Sequence, residues 1–367
     1  MNTGYRMVYP FLPVIARSLE VAPAAIILGV TARSAVGLGT PLLGALADRI
    51  GRKPALLAGV AIFIAGGLMV ALHPSYPTLV LALLSIGLSK ALFDSALYAY
   101  VGDRVPFERR GTSMALVEFS WSGAFLFGIP AIGLLIGSAG WVAPFPALAG
   151  LAVLGGIWIW TTLPGNSGSG VRGPSVASGF SAIVARKSAL AGLAVGLLIS
   201  AANETINIVY GLRMEQAFGL RIAALGAATA VIGLAELGGE GLVAGLADRI
   251  GKRRLVAVGI VASTGTALML PLLAGSLGVG LLGLFAFYLS FEATIVGSLP
   301  LMSEQVPQAR ATLLATNIAG LSLGRSMGAL AGAPLFALGI QANAAVAAAL
   351  NLLALGLLLG LVKEQGN

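Results

Sequence analysis

Ionisable side chains stand inside long apolar stretches of this chain, where they are costly and therefore informative. Arg33, Lys90, Asp94, Glu118, Glu204, Glu236, Glu240, Glu292 and Arg325 each interrupt a run rich in Ala, Gly, Leu, Ile and Val. A charge at the centre of a membrane helix costs at least about 2.5–3.5 kcal/mol on insertion scales, so it faces an aqueous cavity or a partner. Lys90 and Asp94 are spaced i, i+4 and share one face of a helix. Such a pair is either a self-neutralising brace or a proton-switchable site, in which protonation of Asp94 frees the lysine charge for a substrate or another carboxylate. Glu236 and Glu240 share a face in the same way. Two carboxylates in low dielectric resist double ionisation, which suits a proton carrier; the alternative turns both toward cytoplasmic water. Glu204 sits between Asn203 and, one turn on, Asn207, a polar patch that reads as cavity lining or as a clamp between helices. Glu292 and Arg325 are single charges able to pair across helices. These residue types offer proton coupling through Asp94, Glu236, Glu204, Glu292 or Glu240. They also offer a substrate cavity containing Arg33, Lys90, Glu118, Asn203, Asn207 and Arg325.

Bond-making chemistry finds no equivalent constellation. There is no cysteine, and the one histidine, His73, adjoins Pro74 in a loop. No Gly-x-x-x-x-Gly-Lys-Ser/Thr loop is present, which argues against an ATP-driven pump. The expectation is a non-enzymatic protein with no cofactor and no metal.

The elements that must position these charges are membrane helices. Hydrophobic residues make up 57% of the 367 positions and charged residues only 10%, against about 25% charged in soluble domains. The apolar residues fall in blocks long enough to span a bilayer rather than in the short alternating segments of a barrel. The blocks predict helices at 3–18, 23–47, 54–72, 77–101, 112–137, 141–163, 189–212, 221–247, 254–274, 277–302, 311–338 and 341–362. A single linker-like stretch, 164–188, separates residues 1–163 from residues 189–367, giving six helices on each side. The first helix is short: at 1.5 Å per residue it reaches only about 24 Å, against a hydrocarbon core of about 30 Å. The expectation is a true span whose start is truncated.

Charge in the loops sets orientation. Arg49, Arg52, Lys53, Arg104, Arg109, Arg110, Arg172, Arg186, Lys187, Arg249, Lys252, Arg253, Arg254, Arg310 and Lys363 fall on one side, and only Arg17, Arg213 and Arg221 on the other. The basic side is cytoplasmic, which places both termini inside. The net charge of +8 is thereby explained without nucleic acid.

The chain repeats itself. Leu46-Ala47-Asp48-Arg49-Ile50-Gly51 recurs as Leu246-Ala247-Asp248-Arg249-Ile250-Gly251, at an offset of 200 residues. Arg104-Val105-Pro106 with Arg109-Arg110-Gly111-Thr112 matches Gln305-Val306-Pro307 with Arg310-Ala311-Thr312, at an offset of 201. Two independent matches at nearly one offset indicate duplicated halves.

Gly44-Ala45-Leu46-Ala47-Asp48-Arg49-Ile50-Gly51-Arg52-Lys53 resembles the signature loop between the second and third helices of the major facilitator superfamily. The second copy departs from it at Ala244. Pro10-Phe11-Leu12-Pro13 is similar to the first-helix Pro-x-x-Pro of the twelve-helix drug:proton antiporters. Two other antiporter features differ. Leu83 stands where that group has an arginine before Gly87, and Gly128-Ile129-Pro130 with Gly133 only approximates the fifth-helix motif.

The resemblance implies an all-α polytopic membrane protein of two six-helix bundles related by a pseudo-two-fold axis along the membrane normal. It implies a cytoplasmic gate formed by Asp48, Arg49, Arg52, Asp103, Asp248, Arg249 and Glu304, with Asp103 pairing with Arg49 or Arg52 and Glu304 with a base among 249–254. The expected activity is secondary active transport by alternating access, as proton-coupled export of small amphipathic or hydrophobic compounds. Uptake of a polar metabolite or anion, lipid flipping and a non-transporting sensor on the same fold remain open. The glycine stripes around Arg33 (Gly29, Gly37) and Arg325 (Gly320, Gly324, Gly328, Gly332) read either as a sliding contact between halves or as static packing. The expected partners are a small-molecule substrate, protons and the lipid bilayer of a bacterial inner membrane; a monomer is the expected state.

Because the chain lacks cysteine, introduced thiols report the topology. An impermeant maleimide should label Ser75→Cys in intact cells and Ser188→Cys only after the membrane is opened. The opposite pattern would invert the assignment.

Overall fold

The computed structural model describes residues 1–105, 116–164, 176–273 and 275–364; the side chains of residues 176–178, 248 and 311 also lie outside that description. Arg109, Arg110, Arg172 and the Asp248 side chain, named above, therefore fall outside the described residues.

Among the described residues the regular structure is helical. Helix α1 runs as Asn2–Arg6 and Val8–Ser18, broken at Met7. It is followed by α2 (Pro23–Ile50), α3 (Arg52–Leu72), α4 (Tyr76–Arg104), α5 (Leu116–Ala139) and α6 (Pro144–Thr162). Next come α7 (Val176–Val184), α8 (Lys187–Phe218) and α9, as Ile222–Ala228 and Ala230–Ile250. The last four are α10 (Lys252–Met269), α11 (Leu277–Ser303), α12 (Arg310–Ala337) and α13 (Ile340–Leu361). The termini follow local chemistry. Ser75 and Thr78 form a capping box at the start of α4. Gly51 and Gly251, with φ of 93° and 89°, make the turns into α3 and α10 that only glycine adopts cheaply, which explains why the repeated motif ends in glycine.

Ten helices among the described residues are long and apolar enough to cross a membrane. Two of the twelve expected spans are not among them. The pieces of α1 have 5 and 11 residues. In α12, 28 residues long, Asn317, Arg325 and the glycines dilute the apolar content. Helix α7 is the reverse case, since the sequence treats its residues as linker. Its Ile183 packs with Ala189, Met302, Val306 and Leu313, and this contact gives a short amphipathic segment a reason to fold.

The chain forms two compact units, Met1–Val171 with Arg221–Thr229, and Arg172–Leu220 with Ala230–Asn367. The assignment of 221–229 differs from the division at residues 164–188. The cause is local: the Ile222–Ala228 piece of α9 packs on α5, where a Cβ on Gly133 would come within 3.2 Å of the Gly226 Cα and 3.3 Å of the Ile222 carbonyl oxygen. In the first unit, α3 packs on α4 and α6, and α2 on α4. In the second, α8 packs on α12 and α13, and α10 on α11. Of the spans, α8 is the most enclosed, with 72% of its apolar window buried, and α6 the least, at 17%. The outward Leu151, Leu154, Ile157, Trp158 and Trp160 of α6 are too contiguous and apolar for water and suit a lipid-facing surface.

The glycine stripes are packing surfaces inside units. A Cβ on Gly324 would overlap the Leu197 carbonyl oxygen, and one on Gly328 the Ala201 carbonyl oxygen, both on α8. Gly29 faces Leu83 and Val80 of α4. The reading of the α12 stripe as a sliding contact between halves is therefore corrected at Gly324, Gly328 and Gly332: all three abut α8 of their own unit. Hydrogen bonds reinforce this contact, from Ser200 Oγ to the Leu321 carbonyl at 2.9 Å and from Asn343 Nδ2 to the carbonyls of Thr205 and Gly332 at 2.7 and 2.9 Å.

Gly324→Ala and Gly328→Ala should each destabilise the folded chain in detergent by about 1–3 kcal/mol, the usual scale of overpacking. Gly320→Ala, whose Cβ would stay 3.7 Å from the nearest carbonyl, should leave thermal unfolding nearly unchanged. Equal effects at all three positions would contradict the close approach.

Candidate functional site

The polar groups of the first unit converge on Trp121. Lys90 and Asp94 lie one turn apart on α4, and Lys90 Nζ reaches Asp94 Oδ2 at 2.5 Å. Lys90 is buried, while Asp94 keeps about a quarter of its side chain exposed (26%). The Lys90 ammonium also stands 3.9 Å from the Trp121 ring centroid, a cation–π distance. One turn beyond Asp94, the Tyr98 hydroxyl donates to Glu118 Oε1 on α5 at 2.7 Å. Lys90, Asp94 and Tyr98 thus form a ladder on one face of α4, with Glu118 and Trp121 opposite. From α1, Arg6 lies over Trp121 at 4.6 Å and over Phe125 at 4.3 Å, and Tyr5 meets Trp121 edge-on at 6.0 Å.

Arg33 belongs to a different arrangement. At 1% exposure it is sealed, donating to the Tyr5 carbonyl and, at 2.8 Å, to the Tyr9 hydroxyl. Its guanidinium lies 3.8 Å from the Tyr5 ring. It ties α2 to α1, and α4 closes on it through Gly87, whose Cβ would lie 2.7 Å from the Arg33 carbonyl oxygen.

The second unit holds its polar groups on α8, α9, α11 and α12. Glu204 Oε2 accepts from Asn207 Nδ2 at 2.9 Å, and Asn207 Oδ1 accepts from the Tyr288 hydroxyl of α11. The patch is therefore a buried network joining two helices; Asn203 is buried beside it. Glu236 is buried at 4% exposure, whereas Glu240, Glu292 and Arg325 are half-buried. Glu292 lies against α9, where a Cβ on Gly239 would sit 2.7 Å from its own Cβ.

At the basic ends the two copies of the loop motif make matching contacts, each within its own unit. Arg52 Nε binds Asp103 Oδ2 at 3.0 Å and Nη1 binds Asp48; Lys252 binds Glu304. Arg49 and Arg249 are exposed. The next base in each copy fastens a distant helix. Lys53 Nζ donates to the Trp160 and Leu163 carbonyls at the end of α6, at 2.7 and 2.8 Å. Arg253 donates to the Leu358 and Leu359 carbonyls at the end of α13. These orphan carbonyls carry the negative end of the helix dipole, so a cation suits them. In the second copy Glu364 also accepts from the backbone N–H groups of Lys252 and Arg253 at 2.9 and 3.3 Å.

Sequence reasoning did not reach Arg6, Tyr98, Trp121, Tyr288 or the capping role of Lys53 and Arg253. Only Tyr98 carried a signal, its position one turn after Asp94. Among the described residues no group of His, Cys, Asp and Glu side chains could hold a metal ion.

The sequence and fold were compared with known proteins. A family model described as Major Facilitator Superfamily matches residues 1–203. An uncharacterized MFS-type transporter of Bacillus subtilis, YwfA, is 36% identical over 132 residues, which cover 36% of this chain and 32% of that protein. The inner membrane transport protein YdhP of Escherichia coli K12 is 31% identical over 196 residues, 53% of this chain and 50% of that protein. The chain thus spans half or less of the length of these relatives. A crystal structure of a bacterial homolog of the human lysosomal transporter Spinster, inward-facing and unoccupied, superposes with a TM-score of 0.76 at 13% identity, over 100% of this chain and 96% of that one. At that identity the likeness is one of fold.

The ion pair of the second motif copy is open to a charge-reversal test. Lys252→Glu and Glu304→Lys should each lower the unfolding temperature in detergent, and the double variant should recover part of the loss, with a coupling of about 0.5–1 kcal/mol for a partly exposed pair. Strict additivity would show that the pair contributes nothing.

Proposed function

The chain belongs to the major facilitator superfamily, and we propose that it is a secondary active transporter of the inner membrane that couples proton movement to export of small amphipathic compounds. Both termini lie in the cytoplasm, as the loop charges require. The observation that carries the coupling is the Lys90–Asp94 pair, 2.5 Å apart and partly exposed within a membrane span. While Asp94 is ionised it holds the lysine charge. Once protonated, it releases the Lys90 ammonium, which then seeks an anionic or hydrogen-bonding partner among substrate groups. Substrate binding and protonation thereby change each other's affinity by the same factor, the reciprocity that coupling demands. Tyr98 and Glu118 extend the same face and give the proton a hydrogen-bonded neighbour toward the cytoplasmic end of α4. Buried Glu236 is the next candidate carrier.

The motif loops act as latches in this scheme. Arg52–Asp103 and Lys252–Glu304 are partly exposed pairs, individually about 0–1 kcal/mol. Each contributes modestly to the stability of its own unit, and in this scheme the pairs also help to set the equilibrium between access states. The remaining gate residues, Asp48, Arg49, Asp248 and Arg249, belong to the same loops.

The test is a proteoliposome assay with an imposed pH gradient and a panel of drugs, sugars and lipids. Asp94→Asn should abolish accumulation against a gradient while substrate counterflow continues. Accumulation undiminished in both Asp94→Asn and Glu236→Gln would remove these two carboxylates from the coupling. Movement of lipid or inward accumulation of a polar solute would replace export as the activity.

A further inference from the structure

The end of α8 away from the basic loops borders a narrow apolar pocket within the second unit. Ile206, Tyr210, Met214 and Phe218 supply one wall, and their four-residue spacing sets them on one face of the helix. Leu273, beyond the end of α10, and Leu284 of α11 complete it. Gly280 lets α11 come close, since a Cβ there would lie 2.6 Å from the Phe218 ring. The charged member of this lining is Arg213.

Among the described residues the Arg213 side chain makes no hydrogen bond, ion pair or ring contact. Glu215 is two residues on, which turns it to another side of α8. Helix α8 has 32 residues, about 48 Å at 1.5 Å per residue, so it overruns a hydrocarbon core of about 30 Å by about 9 Å at each end. Arg213 precedes the last residue, Phe218, by five positions, or about 8 Å. That depth is the boundary between hydrocarbon and headgroups. An arginine there stays charged and reaches for the headgroup layer, and the partial exposure of Arg213 leaves its charge accessible.

The rim decides between water and lipid. Met269, Leu272, Leu277 and Leu338, close in sequence to the lining residues Leu270, Leu273, Gly280 and Ile340, are exposed. A mouth surrounded by exposed apolar side chains opens toward lipid rather than water. A narrow apolar slot takes a methylene chain, and the arginine fork beside it matches the oxygens of a phosphate.

We infer that this pocket holds one acyl chain of an anionic phospholipid from the leaflet opposite the basic loops, with the lipid phosphate at Arg213. A phosphatidylcholine would bring its own cation to the arginine and bind more weakly. The site uses none of the residues assigned to proton coupling, so it stands or falls apart from the transport reading.

The test uses the full chain purified in a neutral detergent, with lipid retention read by native mass spectrometry. The probes are dioleoyl phosphatidylglycerol, dioleoyl phosphatidylcholine and glycerol 1-phosphate. One phosphatidylglycerol should be held roughly tenfold more tightly than phosphatidylcholine. Arg213→Gln should weaken phosphatidylglycerol by roughly tenfold and phosphatidylcholine far less, which also shows that the variant is folded. Arg213→Lys should keep part of the affinity. Leu273→Trp, which fills the slot, should release phosphatidylglycerol while the arginine remains. Because the chain lacks cysteine, a spin label on Leu272→Cys gives a second measurement with the slot left open. Phosphatidylglycerol carrying a nitroxide on its acyl chain should then show one short, well-defined distance that Arg213→Gln abolishes. Equal retention of the two lipids, retention indifferent to Arg213→Gln, or a broad distance distribution would overturn the inference. Binding of glycerol 1-phosphate as tight as that of the lipid would also overturn it and assign Arg213 to a soluble anion. Retention unchanged in folded Leu273→Trp would remove the acyl chain from the pocket and overturn it as well.

Discussion

A charge within the hydrocarbon layer must meet a partner or water, and most of the polar architecture of this protein follows from that requirement. Arg33 meets it with a backbone carbonyl, a hydroxyl and the faces of two tyrosines, and so becomes a strut between α1 and α2. Lys90 meets it with Asp94 and Trp121, a solution that remains partly open. Glu204 meets it through Asn207, which in turn engages Tyr288. Desolvation penalises each of these groups alike. What separates a brace from a working site is whether the partner can be exchanged, and exchange needs exposure, which Asp94 retains and Arg33 lacks.

The sequence shows best what a helix does to its own residues. Lys90 and Asp94 are legible as a pair because i, i+4 spacing is sufficient to bring them together. The contacts of Arg52 with Asp103 and of Lys252 with Glu304 are legible through the resemblance of the loop to a family signature, which names the acids and narrows each partner to a few bases. The family is legible for the same reason: a patterned loop that occurs twice specifies more than composition can.

Contacts between helices are not legible in this way. Nothing in the order of residues says that Tyr5 and Tyr9 receive Arg33, that Tyr98 reaches Glu118, or that Gly324, Gly328 and Gly332 lie on α8. A glycine stripe reveals that a backbone comes close without revealing which one. In lipid, where apolar contact discriminates poorly between neighbours, that choice is made by shape and by a few hydrogen bonds such as those of Asn343. Helix α7 was missed for a related reason, since its fold depends on Ile183 finding partners as distant as Leu313.

Lys53 and Arg253 hold the last helix of their own halves to the loop that follows the second, by donating to carbonyls more than a hundred residues away. Each half is thereby stitched shut between its beginning and its end by a residue carried in its own signature loop. A segment that carries such a fastening within itself passes it on whenever it is copied. The basic residue that reads as a topological signal is, in this light, also what makes such a half suitable for inheritance in duplicate.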